Sequence, residues 1–471
     1  MQTLSRFSTP QLECAHRGKV RDSFRVDAAM RLIVATDRLS AFDRVLECCI
    51  PGKGVALTRL ASFWFERTRD RIPNHWIRTI GDRAMLVREA RPILVEMVVR
   101  AYITGSVWRA YAAGARSFSG VRLPDGLTRN QRLAAPIITP TTKAAKDEPV
   151  TPREIAERGI ASRDVYRRLE EASLALFEDG SRYLREKGVL LVDTKYEFGL
   201  IDDQVVLIDE VHTPDSSRFW LVEEYDRDPT GVEGWDKEIV RAWLLAEESN
   251  GRRPTSLPEG VIAETARRYR EICHRITGET LPAEGGEREL VDALVDAGLL
   301  RDGFVAIVMG SPRDREHAER IAAELRPHGV AVLLRVASAH RTPDRVASLA
   351  AELEEAREPG AIIAVAGLSN GLGGALAANL TLPVINCPPF RDGAEAKLHL
   401  NSSLFMPPRV PAVTVLGAEN AAQAALRALA LPRIREELRH DMETSRKRID
   451  EADAACRAEG CSVSGAGEVR S

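Results

Sequence analysis

The chain has 471 residues, of which 29% are charged, and its positive and negative charges nearly cancel to a formal net charge of −3 at pH 7. This balance gives no global field that would attract nucleic acid or an anionic membrane surface. The sequence lacks a run of about 20 apolar residues, the length of a membrane span, and it does not open with the hydrophobic segment of a signal peptide. We therefore expect a cytoplasmic protein with neither nucleic acid nor membrane as a partner.

The seven cysteines do not form a repeated CxxC pattern, which predicts free thiols in a reducing compartment.

At about 150 residues per domain, the length predicts two or three domains. The polar, glycine-containing stretch Pro282–Glu289 has the composition of an interdomain linker. We predict a first domain at 1–281, a linker at 282–302, a second domain at 303–455, and a disordered tail at 456–471.

The first segment with the pattern of a binding site is HRGKVRD, at His16–Asp22. It predicts a tight turn between two strands, with Gly18 at the entry and Lys19 and Arg21 on one face. A glycine beside a lysine suits a phosphate clamp, although the spacing of a Walker loop is absent and the signal alone is weak. Two later segments, DRLSAFD and IPGKG, are predicted as loops that carry polar groups, and a helix is expected at Thr58–Arg69.

The apolar run ILVEMVV, at Ile93–Val99, predicts a buried strand that ends at Arg100, after which Gly105 and Ser106 open a helix. Serine at a helix start is most often only an N-cap. The same backbone NH groups also bind a phosphate when one is present. The proline-rich segment that ends in TPTTK is predicted to be a long irregular loop of functional type.

A charged hairpin is predicted from the apolar run Val189–Val192 and a second strand at Val205–Val211. Alternation along the first strand places Asp193, Lys195 and Glu197 on one face. The plain interpretation is a solvated edge hairpin with surface ion pairs. Against it, these carboxylates are embedded in apolar strands, where an unpaired buried charge costs several kcal/mol.

A divalent metal would neutralise carboxylates of this kind. Mg²⁺ typically uses one or two carboxylates together with substrate phosphates. The hairpin therefore predicts a metal-nucleotide site.

From Phe304 the pattern changes to alternating strands and helices. This alternation predicts βαβ units that form a parallel sheet with helices on both faces. Ligands bind such sheets at the carboxyl ends of the strands. That rule selects four segments: Gly310–Asp314, Ser338–Pro343, Gly367–Gly374 and Asn386–Pro389.

The motifs of the first half occur in the order found in SAICAR synthetases: GKVRD, ATDRLSAFD, IPGKG, RAYITGSVW, TPTTKA, DTKYEFG and DEVHTPDSSRFW. Members of that family use ATP to join aspartate to carboxyaminoimidazole ribotide. The resemblance covers roughly residues 10–280, and strings of this length are specific. In the second half, MGSxxD, SAHRTP, AGxSNGLG and PVINCPP resemble AIR carboxylases, and SNGLG and the CPP strand resemble the animal type, which uses CO₂ directly. The order of the two domains resembles that of the animal bifunctional enzymes.

The resemblance implies a fold class of α/β and α+β. An ATP-binding α+β domain of SAICAR synthetase type would precede a three-layer α/β domain with a parallel sheet. It also implies ATP as a substrate, Mg²⁺ as a cofactor, and small-molecule partners that comprise the ribotide, aspartate, ATP, and CO₂ or bicarbonate. The carboxylase family further implies a homo-oligomer, an octamer.

In the first domain the resemblance implies individual roles. Lys195 would reach a phosphate or the reacting carboxylate as a catalytic group, and Glu197 and Asp209 are the predicted metal ligands. The nucleotide loop would contain Gly18, Lys19 and Arg21. Substrate would be held by Arg100, Ser106, Asp215 and Arg218, with Ser40, Asp43 and Lys53 as further residues of the site loops.

In the second domain a proton must leave the imidazole carbon after carboxylation. His340 in SAHRTP is the natural acid or base, because imidazole titrates near neutrality; a lone histidine is more often structural, but its place at a strand end and in the motif favours a catalytic role. Asp314 is the second catalytic candidate, as a contact to ribose or amine. The other predicted substrate-binding residues are Ser311, Ser338, Arg341, Ser369, Asn370 and Gly371, of which the glycine-rich segment offers backbone NH groups to an anion or CO₂.

Two positions depart from the carboxylase strings. In the carboxylase strings, a serine immediately precedes the motif aspartate and an arginine follows the dipeptide AG. This chain has Arg313 and Leu368 at those two positions. Either Arg313 supplies the phosphate contact that Leu368 does not, or the domain has lost activity. The mixture of SAHRTP with SNGLG leaves both CO₂ and a carbamate nucleotide open as the carboxylating agent.

Three hypotheses follow for the whole chain. In the first, it is a bifunctional purine-biosynthesis enzyme with both sites active. In the second, an active ligase carries a non-catalytic oligomerisation domain. In the third, the chain is a paralogue that acts on a related heterocyclic carboxylate in specialised nucleoside biosynthesis.

Overall fold

The computed structural model of the protein describes residues 3–42, 44–143, 147–282 and 286–460. The chain forms two compact units. The first comprises the residues up to Phe7 together with Leu12–Leu299, and the second comprises Ser8–Gln11 together with the residues from Leu300 onward. Within the described part of the chain, no helix is both long enough and apolar enough to cross a membrane.

Two antiparallel sheets form the framework of the first unit. One has five strands in the spatial order Glu13–Arg17, Arg21–Arg25, Met30–Ala35, Ala84–Arg88 and Trp76–Ile80. The other contains Arg132–Ile138, Arg91–Tyr102, Val189–Ile201 and Gln204–Ile208 in that order, with Thr141–Thr142 paired to the second of these strands and Ser217–Leu221 to the third. Two small hairpins pair Arg38–Ala41 with Arg44–Cys49 and Ser117–Phe118 with Val121–Arg122.

Amphipathic helices cover these sheets. They span Lys53–Thr68, Gly105–Ala112, Pro152–Glu157, Arg163–Glu186, Val222–Arg227, Glu238–Ser249, Glu259–Thr277 and Glu287–Asp296. Leu169, Leu176 and Phe177 of the long fourth helix join a core with Tyr196 of the central strand. The predicted capping box of Thr151 and Glu154 is present at the start of its helix, where it satisfies two backbone NH groups.

The central hairpin has its turn at Asp202 and Asp203, as predicted, with φ values of 49° and 59°. Two successive left-handed residues suit the twist of a tight hairpin. The second strand ends at Ile208, so the prediction that it reaches Val211 was wrong. The backbone leaves the extended region at once, because Asp209 has a φ of 66°.

Three predicted loops of the first unit contain regular structure. Ser40 lies on a strand, where it pairs with Val45. Lys53 is the first residue of a helix that begins before the predicted Thr58, because Asp37 Oδ1 accepts a hydrogen bond from Gly54 N at 2.9 Å and ties the helix start to the sheet. The proline-rich segment supplies the edge strand Arg132–Ile138, which pairs with Arg91–Tyr102.

The second unit is the predicted parallel α/β domain. Its five strands are all parallel and lie in the order Ala331–Val336, Phe304–Met309, Gly360–Val365, Val384–Asn386 and Val413–Thr414. Its α-helices span Arg315–Leu325, Pro343–Glu354, Gly371–Ala377, Gly393–Leu404, Ala418–Leu429 and Pro432–Gly460, with short 3₁₀ turns at Pro312–Asp314 and Arg326–His328. Separate apolar clusters on the two faces of the sheet complete the three layers.

The predicted linker and tail differ from the structure. Residues 282–302 contain the helix Glu287–Asp296, which is anchored by buried Leu290, Val291 and Leu294, and the two units divide after Leu299. The tail predicted from residue 456 begins as helix, which continues to Gly460. Residues 461–471 of that prediction lie outside the described residues.

Candidate active sites and family

Charged and polar side chains of the first unit, some of them predicted and some not, form three groups. The strand group comprises Glu96, Lys143, Lys195 and Glu197. The loop group comprises Arg21, Lys53, Asp209, Glu210, Asp215, Lys237 and Tyr269. The arginine group comprises Arg100, Asp193 and Arg218.

In the strand group, Glu96 and Glu197 are direct cross-strand partners, an unfavourable arrangement for two carboxylates alone. Lys195 relieves it, because its Nζ donates to Glu96 Oε1 at 2.8 Å and also to Glu197. Lys143 binds the other carboxylate oxygen of Glu197. Burial opposes the charged amine, but Glu197, Asp209 and Glu96 together raise the pKa of Lys195, so it stays protonated. A charged lysine is thereby fixed where an anionic substrate group can reach it.

Arg21, Asp209 and Glu210 form the first part of the loop group. Arg21 Nη1 donates to Asp209 Oδ1 at 2.7 Å, and Nη2 donates to Glu210. Burial alone would raise the pKa of Asp209, but the charges of Arg21 and Lys195 lower it to about 2. The guanidinium predicted to lie in the nucleotide loop is therefore bound to two carboxylates.

The turn that precedes Arg21 is closed by a hydrogen bond from Gly18 N to Arg21 O at 2.8 Å. A Cβ atom at Gly18 would lie 3.0 Å from that carbonyl oxygen, so a larger residue would crowd the turn. Arg38 supports the same turn by donating to Gly18 O at 2.9 Å and to Lys19 O at 3.3 Å. Arg38 was not predicted from the sequence, where its signal is its place in the ATDRLS motif.

Asp215 is the centre of the second part of the loop group. It accepts hydrogen bonds from Lys53 at 2.8 Å and Tyr269 at 2.7 Å, and Lys237 Nζ lies 3.1 Å away. The Lys53 side chain is 0% exposed, and burial lowers its pKa even though Asp215 opposes that shift. Lys237 and Tyr269 were missed, because only the fold brings Lys237, just before one helix, and Tyr269, within another, to this loop.

The arginine group joins three neighbouring strands, because Asp193 pairs with Arg100 on one strand and with Arg218 on another. Arg100 Nη1 and Arg218 Nη1 donate to the same Asp193 oxygen, at 3.0 and 2.7 Å. A Cβ atom at Gly105 would lie 3.0 Å from the Arg218 guanidinium, so glycine allows the start of the helix Gly105–Ala112 to approach it. Both arginines bind the Asp193 carboxylate beside a helix N-terminus, and Glu238 Oε2 lies 3.6 Å from Arg218 Nη2. Their remaining NH groups and the helix start can donate to a phosphate.

The remaining predicted residues of the first unit have simpler positions. Ser106 is exposed at the start of its helix, and Ser40 is half-buried on its strand. Asp43 lies outside the described residues.

The predicted metal ligands, Glu197 and Asp209, have the donor chemistry that Mg²⁺ prefers. In the part of the chain that the structure describes, no three His, Cys, Asp or Glu side chains converge as a metal cluster. Mg²⁺ does not require such a cluster, since it commonly takes one or two carboxylates and completes its shell with phosphates and water. Both carboxylates also act on Lys195, so they belong to one site. The residues present fit a metal held jointly with a nucleotide.

Two buried histidines make the stability of the first unit depend on pH. Burial lowers the pKa of His75 and His212 to about 3, whereas an unfolded histidine titrates near 6.5. Between these values the unfolded chain binds more protons than the native chain, so stability falls as the pH drops from about 6.5 towards 3. We expect the free energy of unfolding to fall by about 1.4 kcal/mol per pH unit for each histidine in this window.

Urea titrations followed by tryptophan fluorescence will measure this dependence, because all 6 tryptophans lie in the first unit. The variant His212→Leu should lose the contribution of one of the two histidines to the pH dependence of the free energy of unfolding. The same pH slope in that variant and in the wild type would contradict the assignment.

In the second unit, a cavity of about 920 Å³ opens at the carboxyl ends of the strands. Six of the predicted residues line it: Ser311, Asp314, Ser338, His340, Arg341 and Ser369. Burial raises the pKa of Asp314, while nearby His399 and Arg341 oppose that shift. His399, which also lines the cavity, was missed because it lies on the helix Gly393–Leu404, which the sequence analysis did not predict.

Both departures from the carboxylase strings line this cavity. Leu368 has a φ of 58° and is 68% exposed, an unusual conformation for a residue with a bulky side chain. Its carbonyl accepts a hydrogen bond from Ser402 Oγ at 2.6 Å. Arg313 follows Pro312 in the short 3₁₀ turn after the first strand. The cavity therefore has an exposed apolar side chain at 368 and a guanidinium at 313.

Asn370 and Gly371 line a second cavity, of about 340 Å³. The Asn370 side chain accepts from Gly373 N and donates to Ser403 Oγ at 3.0 Å, so it caps a helix. Gly371 leaves room for His340, since a Cβ atom there would lie 3.2 Å from the imidazole Cε1. Asn370 and Gly371 therefore support the wall of the larger cavity and do not line it.

Comparisons with known proteins agree with this two-unit arrangement. The sequence model of the SAICAR synthetase family matches residues 14–256, and that of the AIR carboxylase family matches residues 304–452. The phosphoribosylaminoimidazole-succinocarboxamide synthase of Azobacteroides pseudotrichonymphae is 41% identical over 59% of this chain and 88% of its own length. That of Bacteroides fragilis is 40% identical over 60% of this chain and 93% of its own.

A solved structure is also similar. The Saccharomyces cerevisiae SAICAR synthase, in complex with SAICAR, is 35% identical and superposes with a TM-score of 0.52 over 59% of this chain and 99% of the yeast chain. The protein thus belongs to the SAICAR synthetase family and carries an AIR carboxylase domain in the same polypeptide.

Proposed function

We propose that the protein carries out two steps of purine biosynthesis. Its second unit carboxylates aminoimidazole ribotide, and its first unit joins aspartate to the carboxylated ribotide at the expense of ATP to give SAICAR. The observation that carries the ligase proposal is the arginine group. It offers a ribotide phosphate two guanidinium groups and a helix N-terminus in a single place.

The ligase chemistry requires activation of a poor electrophile. An oxygen of the ribotide carboxylate attacks the γ-phosphorus of ATP, the bond to ADP breaks, and an acyl phosphate results. The amine of aspartate then attacks the acyl carbon, phosphate leaves with the electron pair of the broken C–O bond, and the nitrogen loses a proton to solvent. Both steps develop negative charge on oxygen, which fixed cations stabilise.

The strand group supports this role for Lys195, because it keeps the amine charged and holds its Nζ between two carboxylates. The turn at Gly18 and Lys19 is our choice for the nucleotide phosphates. Mg²⁺ bound by Glu197 and Asp209 would neutralise part of the phosphate charge. Buried Asp215 would orient a polar substrate group.

Arg218→Ala tests the ribotide site. We expect the KM for carboxyaminoimidazole ribotide to rise by about 10- to 100-fold, the usual effect of losing a charged hydrogen bond, while the KM for ATP stays the same. Arg100 still pairs with Asp193 in this variant, so that carboxylate keeps a bound cation. Initial rates with each substrate varied in turn provide the measurement.

Arg227→Ala is the matched control, because Arg227 is exposed at the end of a nearby short helix. Its kinetics should equal those of the wild type. An Arg218→Ala effect confined to the KM for ATP would move Arg218 to the nucleotide site.

The carboxylase proposal rests on the larger cavity of the second unit. His340 lines it together with four guanidinium groups, those of Arg313, Arg320, Arg341 and Arg391. The ring carbon of the ribotide attacks CO₂ to form a C–C bond, and that carbon then loses its proton, which His340 accepts and passes to solvent. Formation of the carboxylated ribotide from aminoimidazole ribotide and bicarbonate, without ATP or aspartate, tests this step.

A second candidate role for this unit is that of a non-catalytic oligomerisation domain. The observations that favour it are Leu368, which projects from the cavity wall, and the strongly exposed apolar side chains of Leu404, Phe405 and Val413. This role predicts no carboxylation by correctly assembled protein. The assay without ATP and aspartate therefore separates the two candidates.

A further inference from the structure

His212 is completely buried in the first unit, although it belongs to the loop that carries Asp209 and Asp215. Its Nε2 atom shares a hydrogen bond of 2.5 Å with the Tyr196 hydroxyl. Its ring meets the Trp64 ring edge to face, with centroids 4.5 Å apart. The imidazole is therefore an internal anchor for the loop.

The position of Tyr196 makes this anchor relevant to the proposed site. Tyr196 stands between Lys195 and Glu197 on the central strand, and alternation directs its side chain to the opposite face of the sheet. The hydrogen bond to His212 thus ties the loop to the same strand that presents the strand group. The strand Val189–Ile201 therefore orients Lys195 on one face of the sheet and holds the loop at His212 on the opposite face.

The loop needs such a tie, because its backbone is unusual. Asp209 and His212 have φ values of 66° and 44°, a region that residues other than glycine seldom occupy. Such conformations persist only where the surroundings enforce them, and they are concentrated at functional sites. Asp209 and Asp215, on either side of His212 in this loop, bind Arg21 and Lys53. His212 fixes the part of the loop between them.

Gly180 leaves space for the imidazole ring of His212. Gly180 lies in the helix Arg163–Glu186, and a Cβ atom there would come within 2.2 Å of His212 Cε1 and 2.7 Å of Nδ1. Among the described residues, none supplies a hydrogen-bond partner to Nδ1. An apolar side chain would fill the space without leaving a polar atom unpaired, so packing alone does not account for a histidine here.

We propose that His212 is a positioning residue for the ligase, which holds Asp209 and Asp215 in register with Lys195 through its hydrogen bond to Tyr196 in the space left by Gly180. This inference rests on the proposed ligase reaction. It assigns no contact with substrate to His212. It predicts that changes on the far side of the sheet will lower turnover.

Tyr196→Phe is the primary test, because it removes a single oxygen atom and leaves the core packed. We expect kcat to fall by about 10- to 100-fold, as is usual when catalytic groups shift slightly, while the KM for the ribotide changes little. The ribotide contacts Arg100 and Arg218 are held by strand pairing rather than by the loop. His212→Leu should produce the same loss.

Two further comparisons separate positioning from general packing. The double variant Tyr196→Phe/His212→Leu should lose no more activity than either single variant, because both remove the same bond. His212→Gln, whose amide can again bond the Tyr196 hydroxyl, should recover most of kcat relative to His212→Leu. Packing alone predicts neither result, because it does not depend on the hydrogen bond between the two side chains.

In Gly180→Ala, the added Cβ atom would crowd the His212 ring from the helix Arg163–Glu186. This variant should therefore also lower kcat. Gly260→Ala is its control, since a Cβ atom at that helical position meets nothing within 4 Å. Melting temperatures measured in parallel will show the folded fraction at the assay temperature.

An unchanged kcat in Tyr196→Phe and His212→Leu, with an active wild type, would overturn the inference. A loss of kcat that only tracks the unfolded fraction would overturn it equally. A wild type that forms no SAICAR from carboxyaminoimidazole ribotide would instead refute the proposed ligase function itself.

Discussion

Replacing Glu197 by glutamine lowers the turnover of the ligase by at least about 100-fold in our account, with the fold intact. The carboxylate lies between Lys195 and Lys143 and balances both. Glutamine keeps its shape and its pairing with Ile208, but it takes the bound carboxylate from Lys143, whereas Lys195 keeps Glu96. It also removes one of the two proposed Mg²⁺ ligands. Loss of one fixed charge that acts on the transition state typically costs about 100- to 1000-fold in kcat.

Steady-state kinetics of Glu197→Gln, with circular dichroism to verify the fold, will measure this effect. Asp203→Asn is the matched control, because Asp203 is an exposed carboxylate in the turn of the same hairpin and asparagine tolerates its left-handed backbone. Asp209→Asn should resemble Glu197→Gln rather than the control. Wild-type turnover in folded Glu197→Gln would refute the assignment of the metal and phosphate site.

Replacing His340 by alanine should lower the rate of carboxylation of aminoimidazole ribotide by about 100- to 10,000-fold, the usual contribution of a positioned acid or base. His340 lies in the cavity wall beside Asp314 and Arg341. The SAICAR-forming activity of the same preparation should remain unchanged, which verifies that the protein is intact.

His440→Ala is the control for this variant, because His440 is exposed on the C-terminal helix. It should keep both activities. Full carboxylation by His340→Ala would exclude His340 as the proton acceptor and direct attention to His399 in the same cavity.

Local sequence patterns were sufficient to predict the central hairpin and the parallel sheet. The apolar run at Val189–Val192 marked the strand, and the adjacent acids Asp202 and Asp203 marked its turn. These features depend on periodicity and turn chemistry, which neighbouring residues determine. The end of the second strand was misplaced, because the bend at Asp209 depends on the pairing of that residue with Arg21.

The ion pairs of the proposed ligase site show why its geometry was not predictable. Arg21 and Asp209 are 188 positions apart in the sequence, and Lys53 and Asp215 are 162 apart. Motifs identified all four residues as candidates, but no periodicity relates residues at such distances. Partners without a motif, such as Lys237 and Tyr269, remained unseen until the fold placed them beside Asp215.

In the second unit, the rule that ligands bind at the carboxyl ends of parallel strands located the larger cavity correctly. It did not distinguish residues that face the cavity from those that support its wall. Asn370 belongs to the second kind, since its amide caps a helix and bonds Ser403. That distinction depends on side-chain direction within one loop, which the strand pattern does not specify.

A single chain that carries out two successive steps must convert aminoimidazole ribotide through to SAICAR. The most direct test supplies the purified protein with aminoimidazole ribotide, ¹³C-bicarbonate, aspartate and ATP, and follows the label by NMR. Our account predicts SAICAR labelled at its amide carbon, with labelled carboxyaminoimidazole ribotide alone when ATP is omitted. SAICAR formed from added carboxyaminoimidazole ribotide, but never from aminoimidazole ribotide with bicarbonate or from its carbamate, would contradict that account and leave a ligase with an inactive second unit.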